Sequence, residues 1–427
     1  MPSHSRSLRV ALLSYRSKPH CGGQGVYVRH LSRELAALGH SVRVFSGQPY
    51  PDLDPGVALE KVPSLDLYND DDPFRTPPLR EWRDWIDALE VGTMWTAGFP
   101  EPLTFSLRAA RALRGRTAEF DVVHDNQTLG YALPALRSLG FPLVTTIHHP
   151  ITVDRRIEIA EARGLQRLSK RRWYSFVRMQ GRVARRLSPI LVPSQSSADD
   201  IVREFGVRPR AIDVVPLGVD TRSFHPRPDV ARIPGHLVCV ASADSPLKGV
   251  ATLLRAAAKL GTERDVSVTI VSRPKPGGPT DLLVDELSLR DRVRFVSGVA
   301  DTELARLLAS AEVAVVPSFY EGFSLPAVEA MACATPLVAS RAGALPEVVG
   351  TDGAAGRLVR PGDPEDLAAA IGGLLDDPAE RARMSEAAWR RVQQRFTWSA
   401  VAETTALRYT EAVIAAEGVH PTTRSHR

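Results

Sequence analysis

The chain contains 427 residues, of which 44% are hydrophobic and 24% are charged. This composition is typical of a soluble globular protein with enough length for two domains or slightly more. No apolar run is long enough to span a membrane, and the three cysteines lack the spacing of a disulfide framework or a zinc site.

Short apolar runs alternate with helical patterns from the first residues onward. The run between Arg9 and Arg16 is too short for a secretion signal and predicts a first strand, so we expect a cytoplasmic protein. Further Val- and Leu-rich runs predict strands at SVRVFSG, DVVHDN, PLVTTIHH and PILVPS, while VYVRHLSRELAALGH has apolar residues at helical spacing. This alternation predicts parallel sheets with helical crossovers.

The same alternation returns after a proline-rich break between Val215 and Gly235, with predicted strands at HLVCVAS, SVTIVSR, RVRFVSG, AEVAVVPS and TPLVAS. We therefore predict an α/β fold with domains at 1–217 and 218–398. A helix at 399–417 is expected to cross back to the first domain, and residues 418–427 are expected to be a disordered tail. Ligands of doubly wound sheets bind beyond the carboxyl ends of the strands, so functional residues are expected there.

Two glutamates, Glu321 and Glu329, follow the predicted strand AEVAVVPS. The next helix is expected to start at Ser324, a favourable N-cap residue, with Pro326 in its first turn. Glu321 would then lie in the loop and Glu329 about one turn into the helix. Free amides at a helix start bind phosphate, and carboxylates accept hydrogen bonds from vicinal hydroxyls. This set suits a sugar nucleotide.

The stretch SFYEGFSLPAVEAMACATPLVASRAGALPEVVG closely resembles the E-x7-E region of glycosyltransferase family 4, whose members are retaining transferases with the GT-B fold. Two earlier segments, CGGQGVYVRHLSRELAALGHSV and VVPLGVDTRSFHP, resemble the family's glycine loop with its first helix and its interdomain linker. LKGVATLLRAAAKL, RLVRPGDPEDLAAAI and RFTWSAVAETTALRYTEAV continue the series. The resemblance therefore covers nearly the whole chain.

The resemblance implies a GT-B fold, in which two Rossmann-like doubly wound domains face each other across a cleft. It also implies a nucleoside-diphosphate sugar donor held mainly by the second domain. Glu329 would bond the nucleotide ribose, Glu321 a hydroxyl of the donor sugar, and Lys248 the diphosphate. The backbone of four residues would hold the diphosphate and sugar: Gly322, Phe323, Ser324 and Leu325.

His148, after an N-domain strand, would contact the donor sugar, so that the predicted catalytic residues are His148, Lys248 and Glu321. Gly23 and Gly25 either form a tight turn or approach a diphosphate or acceptor closely. By resemblance, no metal or other cofactor is needed, and the leaving diphosphate takes the acceptor proton on the same face. The acceptor is a sugar, a glycolipid or a small molecule.

The sequence departs from the family pattern after HLVCVAS. Most members carry a Gly-Arg pair there, whose arginine shares the diphosphate with the lysine, but this chain has Ser242 and Ala243 near that position. Arg273 is a candidate replacement. Ser324 and Ala334 stand where glycine is usual.

Residues 155–186 contain eleven basic and two acidic side chains. This segment is either a solvated helix face or, with Trp173, Phe176, Val177 and Val183 among the cations, an amphipathic surface for peripheral contact with the inner face of a membrane. No recognised motif accompanies the charge, so nucleic acid is not an expected partner. The run from Asp70 to Asp72 resembles the metal-binding DxD element of another transferase class, but its neighbours favour an exposed turn.

Two other functions share the predicted architecture. A GT-B nucleotide-sugar epimerase would need an acid/base set around the sugar, and none is identifiable in the sequence. A catalytically silent nucleotide-sugar-binding protein would have lost turnover together with the arginine.

Overall fold

The structure is a computed structural model that describes residues 6–17, 23–69 and 71–419. These residues divide into two compact units, one containing 6–193, 197–215 and 401–419 and the other 194–196 and 216–400. Of the tail predicted at 418–427, residues 420–427 lie outside the described part of the chain.

The first unit is built on a seven-stranded sheet. Its strands are β1 (Arg9–Ser14), β2 (Ser41–Ser46), β3 (Ala58–Lys61), β4 (Val122–Asn126), β5 (Leu143–Thr146), β6 (Ile190–Val192) and β7 (Ile212–Val214). The helices are α1 (Gly23–Ala37), α2 (Trp85–Trp95), α3 (Glu101–Leu113), α4 (Leu133–Ser138), α5 (Thr152–Glu161), α6 (Gly164–Trp173), α7 (Phe176–Ala184) and α8 (Gln195–Phe205).

The second unit is built on a six-stranded sheet. Its strands are β8 (His236–Val240), β9 (Ser267–Val271), β10 (Val293–Val296), β11 (Val313–Val316), β12 (Leu337–Ser340) and β13 (Arg357–Val359). The helices are α9 (Val250–Leu260), α10 (Pro279–Glu286), α11 (Asp301–Ser310), α12 (Leu325–Ala332), α13 (Leu345–Val349), α14 (Pro364–Asp376) and α15 (Pro378–Arg395), followed by α16 (Trp398–Val419).

Every strand pair in both sheets is parallel. The spatial orders are β3-β2-β1-β4-β5-β6-β7 and β10-β9-β8-β11-β12-β13. In each sheet the chain winds outward in one direction and then returns to the other side of its first strand. The switch points, where ligands bind in such folds, therefore lie between β1 and β4 and between β8 and β11. The prediction of two Rossmann-like, doubly wound domains is confirmed.

The short apolar runs form strands because both faces of each sheet are covered. In β11, Val313 and Val315 belong to one buried apolar cluster, whereas Ala314 and Val316 belong to another. Successive side chains of a strand point to opposite faces, so a strand that is buried on both sides reads as continuous Val, Leu and Ala. The free Cys239 and Cys333 are small buried side chains in these clusters.

The last helix, α16, returns to the first unit from Val401 onward. It buries one face there, formed by Val401, Ala402, Thr405, Ala406, Tyr409 and Val413. The Tyr409 hydroxyl lies 2.6 Å from Nδ1 of His124, whose Nε2 lies 2.7 Å from the Thr146 hydroxyl. Burial lowers the pKa of His124 to about 3, helped by nearby His148, so its ring is neutral. A buried polar chain therefore joins α16 to β4 and β5.

We expect Tyr409→Phe to destabilise the first unit by about 1–3 kcal/mol, because a buried ring nitrogen of His124 loses its partner. The measurement is chemical denaturation of the variant beside the wild type. Tyr131→Phe is the matched control, because that tyrosine is 44% exposed and its hydroxyl accepts from Arg182 at the surface. Equal midpoints for the two variants would contradict the structural role of Tyr409.

Candidate functional site

The second unit concentrates polar side chains at the switch point between β8 and β11. Lys248 lies in a short 3-10 turn after β8, and its Nζ donates to Oε1 of Glu321 at 2.9 Å. The Ser318 hydroxyl donates to the same oxygen at 2.7 Å. Glu321 is only 8% exposed. The structure thus brings together two of the predicted catalytic residues, and it adds Ser318, which the sequence reasoning did not single out.

Close backbone contacts hold this ion pair in place. The Phe319 N–H, in the loop after β11, donates to the Leu247 carbonyl at 2.8 Å, and the Ala344 N–H donates to the Glu321 carbonyl at 2.9 Å. Three segments from neighbouring strand ends therefore meet at one loop.

Two glycines make this meeting sterically feasible. A Cβ on Gly249 would lie 1.9 Å from the Pro317 carbonyl oxygen, and one on Gly343 would lie 2.2 Å from the Glu321 carbonyl oxygen. Both glycines also have positive φ, 65° and 52°. A side chain at either position would displace the loop that carries Glu321.

Glu329 is the fifth residue of α12, and its side chain is partly buried. Burial raises the pKa of its carboxyl to about 7, with a further contribution from Asp301. Among the described residues no side-chain hydrogen bond or ion pair is formed by Glu329. A half-protonated carboxyl without a partner, close to a helix start, is available to a polar ligand.

Ser324 occupies the N-cap position of α12 as predicted, but its side chain makes no capping hydrogen bond. Its backbone is left-handed, with φ of 87°, and its hydroxyl is buried without a partner within the described residues. The expectation of a favourable side-chain cap is therefore wrong. Ala334 also has positive φ, 55°. A positive φ favours glycine at both positions, which gives a physical reason for the glycine that is usual there in the family pattern.

We expect Ser324→Gly to stabilise the second unit by about 1 kcal/mol, because left-handed backbone costs a non-glycine residue roughly 1–2 kcal/mol and glycine returns part of this as chain entropy. Ala334→Gly should give a smaller gain, since no buried hydroxyl is removed. Denaturant midpoints of both variants test this. A lower midpoint for Ser324→Gly would show that the hydroxyl has a stabilising partner.

Ser242 and Ala243 follow β8 at the position where the family pattern has its arginine. Ala243 is buried, and its N–H donates to the Ser272 hydroxyl at 2.9 Å. Arg273, the predicted replacement, is exposed, and its Nε donates to the Ser297 hydroxyl at 3.3 Å. Within the described ranges, no contact joins Arg273 to the Lys248 pair, and its role stays a prediction.

A second candidate cation, Arg341, was missed by the sequence reasoning. It follows β12 directly, two residues before Gly343, and its side chain is exposed with no ion pair in the described part of the chain. The sequence did contain a signal for Arg341, because the residue directly follows β12, the strand that pairs with β11.

In the first unit, polar residues gather at the ends of β4 and β5. His148, two residues after β5, has its Nε2 2.8 Å from Oδ1 of Asn126, the last residue of β4. Its backbone N–H donates to Oε1 of Gln127 at 2.7 Å, and its ring contacts the Tyr27 ring edge-on at 4.7 Å between centroids. Burial lowers the pKa of His148 to about 3, with His149 contributing, so the imidazole is neutral.

Gly23 and Gly25 lie in the first turn of α1, which begins at Gly23. Residues 18–22, including Gly22 and Cys21, lie outside the described part of the chain. Neither reading of these glycines is decided by the described geometry. Asp71 and Asp72 are exposed in a turn, and Asp70 is not described. No group of three or more His, Cys, Asp or Glu side chains suited to a metal occurs among the described residues.

The apolar residues assigned to an amphipathic membrane surface are mostly core residues. Phe176, Val177 and Val183 are buried in the main cluster of the first unit, and Trp173 packs against it. That part of the prediction is wrong, because the apolar face of α7 covers the sheet. Among the described side chains of the basic segment, the large hydrophobic ones that are exposed are Leu165 and Leu168 in α6. Peripheral membrane contact stays a prediction, and no helix in the described ranges is long and apolar enough to cross a bilayer.

Two family models match the chain. Residues 21–223 match the model described as Glycosyltransferase Family 4, and residues 234–377 match the model described as Glycosyl transferases group 1. The gap between the two matches, residues 224–233, lies within the proline-rich break.

Curated relatives match over nearly the full length. The MMP alpha-(1->4)-mannosyltransferase of Mycolicibacterium hassiacum is 58% identical over 407 residues, which cover 95% of this chain and 98% of the relative. The D-inositol 3-phosphate glycosyltransferase 2 of Catenulispora acidiphila is 32% identical, with 95% of each chain covered.

Solved structures share the fold. Sucrose-phosphate synthase of Thermosynechococcus elongatus superposes with a TM-score of 0.69 at 26% identity, covering 96% of this chain and 100% of that one. Anabaena HepE, solved in complex with UDP-glucose, superposes with a TM-score of 0.66 at 20% identity, covering 95% and 100%.

Proposed function

This chain belongs to glycosyltransferase family 4, and we propose that it transfers a mannosyl residue from a nucleoside-diphosphate mannose to the 4-hydroxyl of a sugar acceptor, retaining the α configuration. The observation that carries the donor assignment is the Lys248–Glu321 pair beside the start of α12. The sugar and the linkage are inferred from the 58% identical mannosyltransferase.

The diphosphate is assigned to Lys248 and the start of α12. The first amides of a helix have no acceptor within the helix, and the helix dipole adds positive potential there. Lys248 contributes an ammonium group, paired with Glu321, to the same switch point. Together they supply the anion-binding elements that a diphosphate requires.

The two glutamates are assigned to the neutral parts of the donor. Glu321 keeps one carboxylate oxygen outside the Lys248 and Ser318 bonds, and this oxygen can accept from a sugar hydroxyl. Glu329 has no partner in the described residues and is assigned to the ribose diol. Each carboxylate thereby fixes the orientation of one ring of the donor.

An α-linked donor and an α-linked product imply retention at the anomeric carbon. The C1–O bond to the diphosphate breaks, the acceptor oxygen bonds to C1 on the same face, and the acceptor proton passes to the leaving diphosphate. Lys248 stabilises the negative charge that develops on this leaving group. The neutral His148 is assigned a hydrogen bond to a substrate hydroxyl, since a pKa of about 3 makes it a weak base.

We further propose that turnover needs no divalent metal, since Lys248 and the α12 amides carry the charge that a metal would otherwise neutralise. Activity should be unchanged after dialysis against a chelator. Loss of activity that added Mg²⁺ or Mn²⁺ restores would overturn this assignment.

The first test measures the thermal shift of the full chain with UDP-, GDP- and ADP-sugars, including the mannose forms. We expect a clear preference for one nucleoside-diphosphate mannose, followed by α-(1→4) product formation with oligosaccharide acceptors detected by mass spectrometry. Binding without any transfer or hydrolysis would favour the silent binding protein. A new nucleotide sugar formed without acceptor would favour the epimerase.

Replacement of Lys248 by alanine should reduce kcat by about 10- to 100-fold, because one charge-assisted contact worth roughly 1.5–3 kcal/mol is lost at the leaving group. Steady-state kinetics with saturating donor provide the measurement. Lys259→Ala is the matched control, because that lysine lies on α9 and pairs with exposed Glu365. A similar loss of kcat in both variants would show that the loss does not come from the position of Lys248 in the site.

Donor affinity should rise with pH through about 7, the raised pKa of Glu329. Below this pH the carboxyl is mostly protonated and accepts less well from the ribose diol, whereas above it the ionised form dominates, so the Kd of the nucleotide sugar falls. Calorimetric titrations at about pH 6 and pH 8 test this, and the Kd should fall by at most roughly tenfold between these two values, since the ionised fraction of Glu329 rises about tenfold. Glu329→Gln should bind with no such dependence, and an unchanged pH profile in that variant would reassign the titration.

A further inference from the structure

Asn126 is a buried residue with an incompletely satisfied side chain. It is the last residue of β4, at the switch point of the first sheet, and it is 0% exposed. Its Oδ1 pairs with Nε2 of His148 at 2.8 Å, whereas its Nδ2 has no partner within the described residues. A buried amide group that lacks a hydrogen-bond partner lowers stability, and such groups in folded proteins often serve a functional role.

The bond to Asn126 determines which nitrogen of His148 carries the proton. A carboxamide oxygen can only accept, so Nε2 must donate. A neutral imidazole has a single ring proton, and Nδ1 is then a bare acceptor. In the described part of the chain Nδ1 has no partner, and the side chain is partly exposed.

Other contacts restrict the ring without choosing its tautomer. The backbone N–H of His148 is held by Gln127, and the Tyr27 ring packs edge-on against the imidazole. Neither contact involves a ring nitrogen. Within the described residues, Asn126 therefore makes the contact that discriminates between the two nitrogens.

We propose that Asn126 is a positioning residue that fixes His148 as the Nε2–H tautomer, so that Nδ1 accepts a hydrogen bond from a hydroxyl of the bound substrate. This inference rests on the proposed function for the identity of the substrate. The tautomer itself is a property of the free protein.

The charges around His148 set the conditions of the test. After burial, His149 is the group that lowers the pKa of His148, and His148 in turn lowers the pKa of His124, whose ring is neutral. Asp125 is on the same strand as Asn126, but its carboxylate faces the Thr128 and Leu129 amides, at 3.3 and 3.2 Å. The Tyr27 ring packs edge-on against the His148 ring, and the Tyr27 hydroxyl is hydrogen-bonded to the Thr146 hydroxyl. No carboxylate in the described ranges contacts the imidazole.

The decisive variant is Asn126→Asp. A carboxylate at this position still accepts from Nε2, but it should raise the pKa of His148 by about one to three units from its value near 3. The protonated ring has N–H groups on both nitrogens and has lost its acceptor. We expect kcat/KM to acquire a further acid limb between about pH 4 and 6, below the limb near pH 7 that protonation of Glu329 gives to wild type and variant alike.

Asn126→Ala should behave differently, because it removes the discrimination between tautomers and adds no charge. We expect about a tenfold loss of kcat/KM that is the same at every pH.

Asn69→Asp applies the same amide-to-acid change to the other asparagine of the chain and should leave the pH profile unchanged. A pH profile of Asn126→Asp with the same acid limb as the wild type and no further limb at lower pH would overturn the proposal.

A second readout needs no substrate. Long-range ¹H–¹⁵N NMR of the full chain labelled at histidine distinguishes a protonated from a bare ring nitrogen, and loss of the signal in His148→Gln assigns it. The expected result is protonated Nε2 and bare Nδ1 in the wild type, and a mixture in Asn126→Ala. Protonated Nδ1 in the wild type would overturn the proposal even if the enzyme is an active mannosyltransferase. Absence of transfer with the expected tautomer would instead overturn the proposed function.

Discussion

The polar site of the second unit depends on a close approach of backbone segments from three neighbouring strand ends. Gly249 follows β8, the loop with Glu321 follows β11, and Gly343 follows β12, and the two glycines touch that loop with backbone where no Cβ fits. Backbone hydrogen bonds lock this arrangement. The position of the Lys248–Glu321 pair is therefore determined mainly by the geometry of the backbone.

The candidate residues of the two units differ sharply in charge state. Lys248 and Glu321 form an ion pair, whereas Glu329 is half protonated near neutral pH and His148 is neutral. Burial is the main cause of both shifts. Neutral or ion-paired hydrogen-bonding groups can orient a polyhydroxyl substrate without attracting competing ions. The positive potential at the start of α12 is not neutralised by these groups and can bind an anion.

Much of the fold could be predicted because parallel strands covered on both faces read as uninterrupted apolar runs. The same local rule misled at 173–183, where a mixed basic and apolar pattern indicated a membrane surface. Periodicity shows that a helix has an apolar face, but it does not show what covers that face, and for Phe176 and Val183 the cover is the sheet of the first unit. Ser324 illustrates a similar limit, since N-cap preference is statistical, whereas its φ of 87° is a backbone conformation that the residue type does not predict. Ser318 and Asn126 were detectable in principle as polar residues at strand ends.

The polar chain from Tyr409 through His124 to Thr146 also makes the first unit discontinuous in sequence. Its sheet is complete by Val214, yet the apolar face of α16 that covers it, and the hydroxyl that satisfies His124, arrive almost two hundred residues later. During synthesis the emerging sheet must therefore remain incompletely covered until the whole second unit has been made. Although each unit has its own sheet and core, the first unit cannot be completed before the second has been synthesised. A single cut of the chain between the units would therefore leave the first unit without α16.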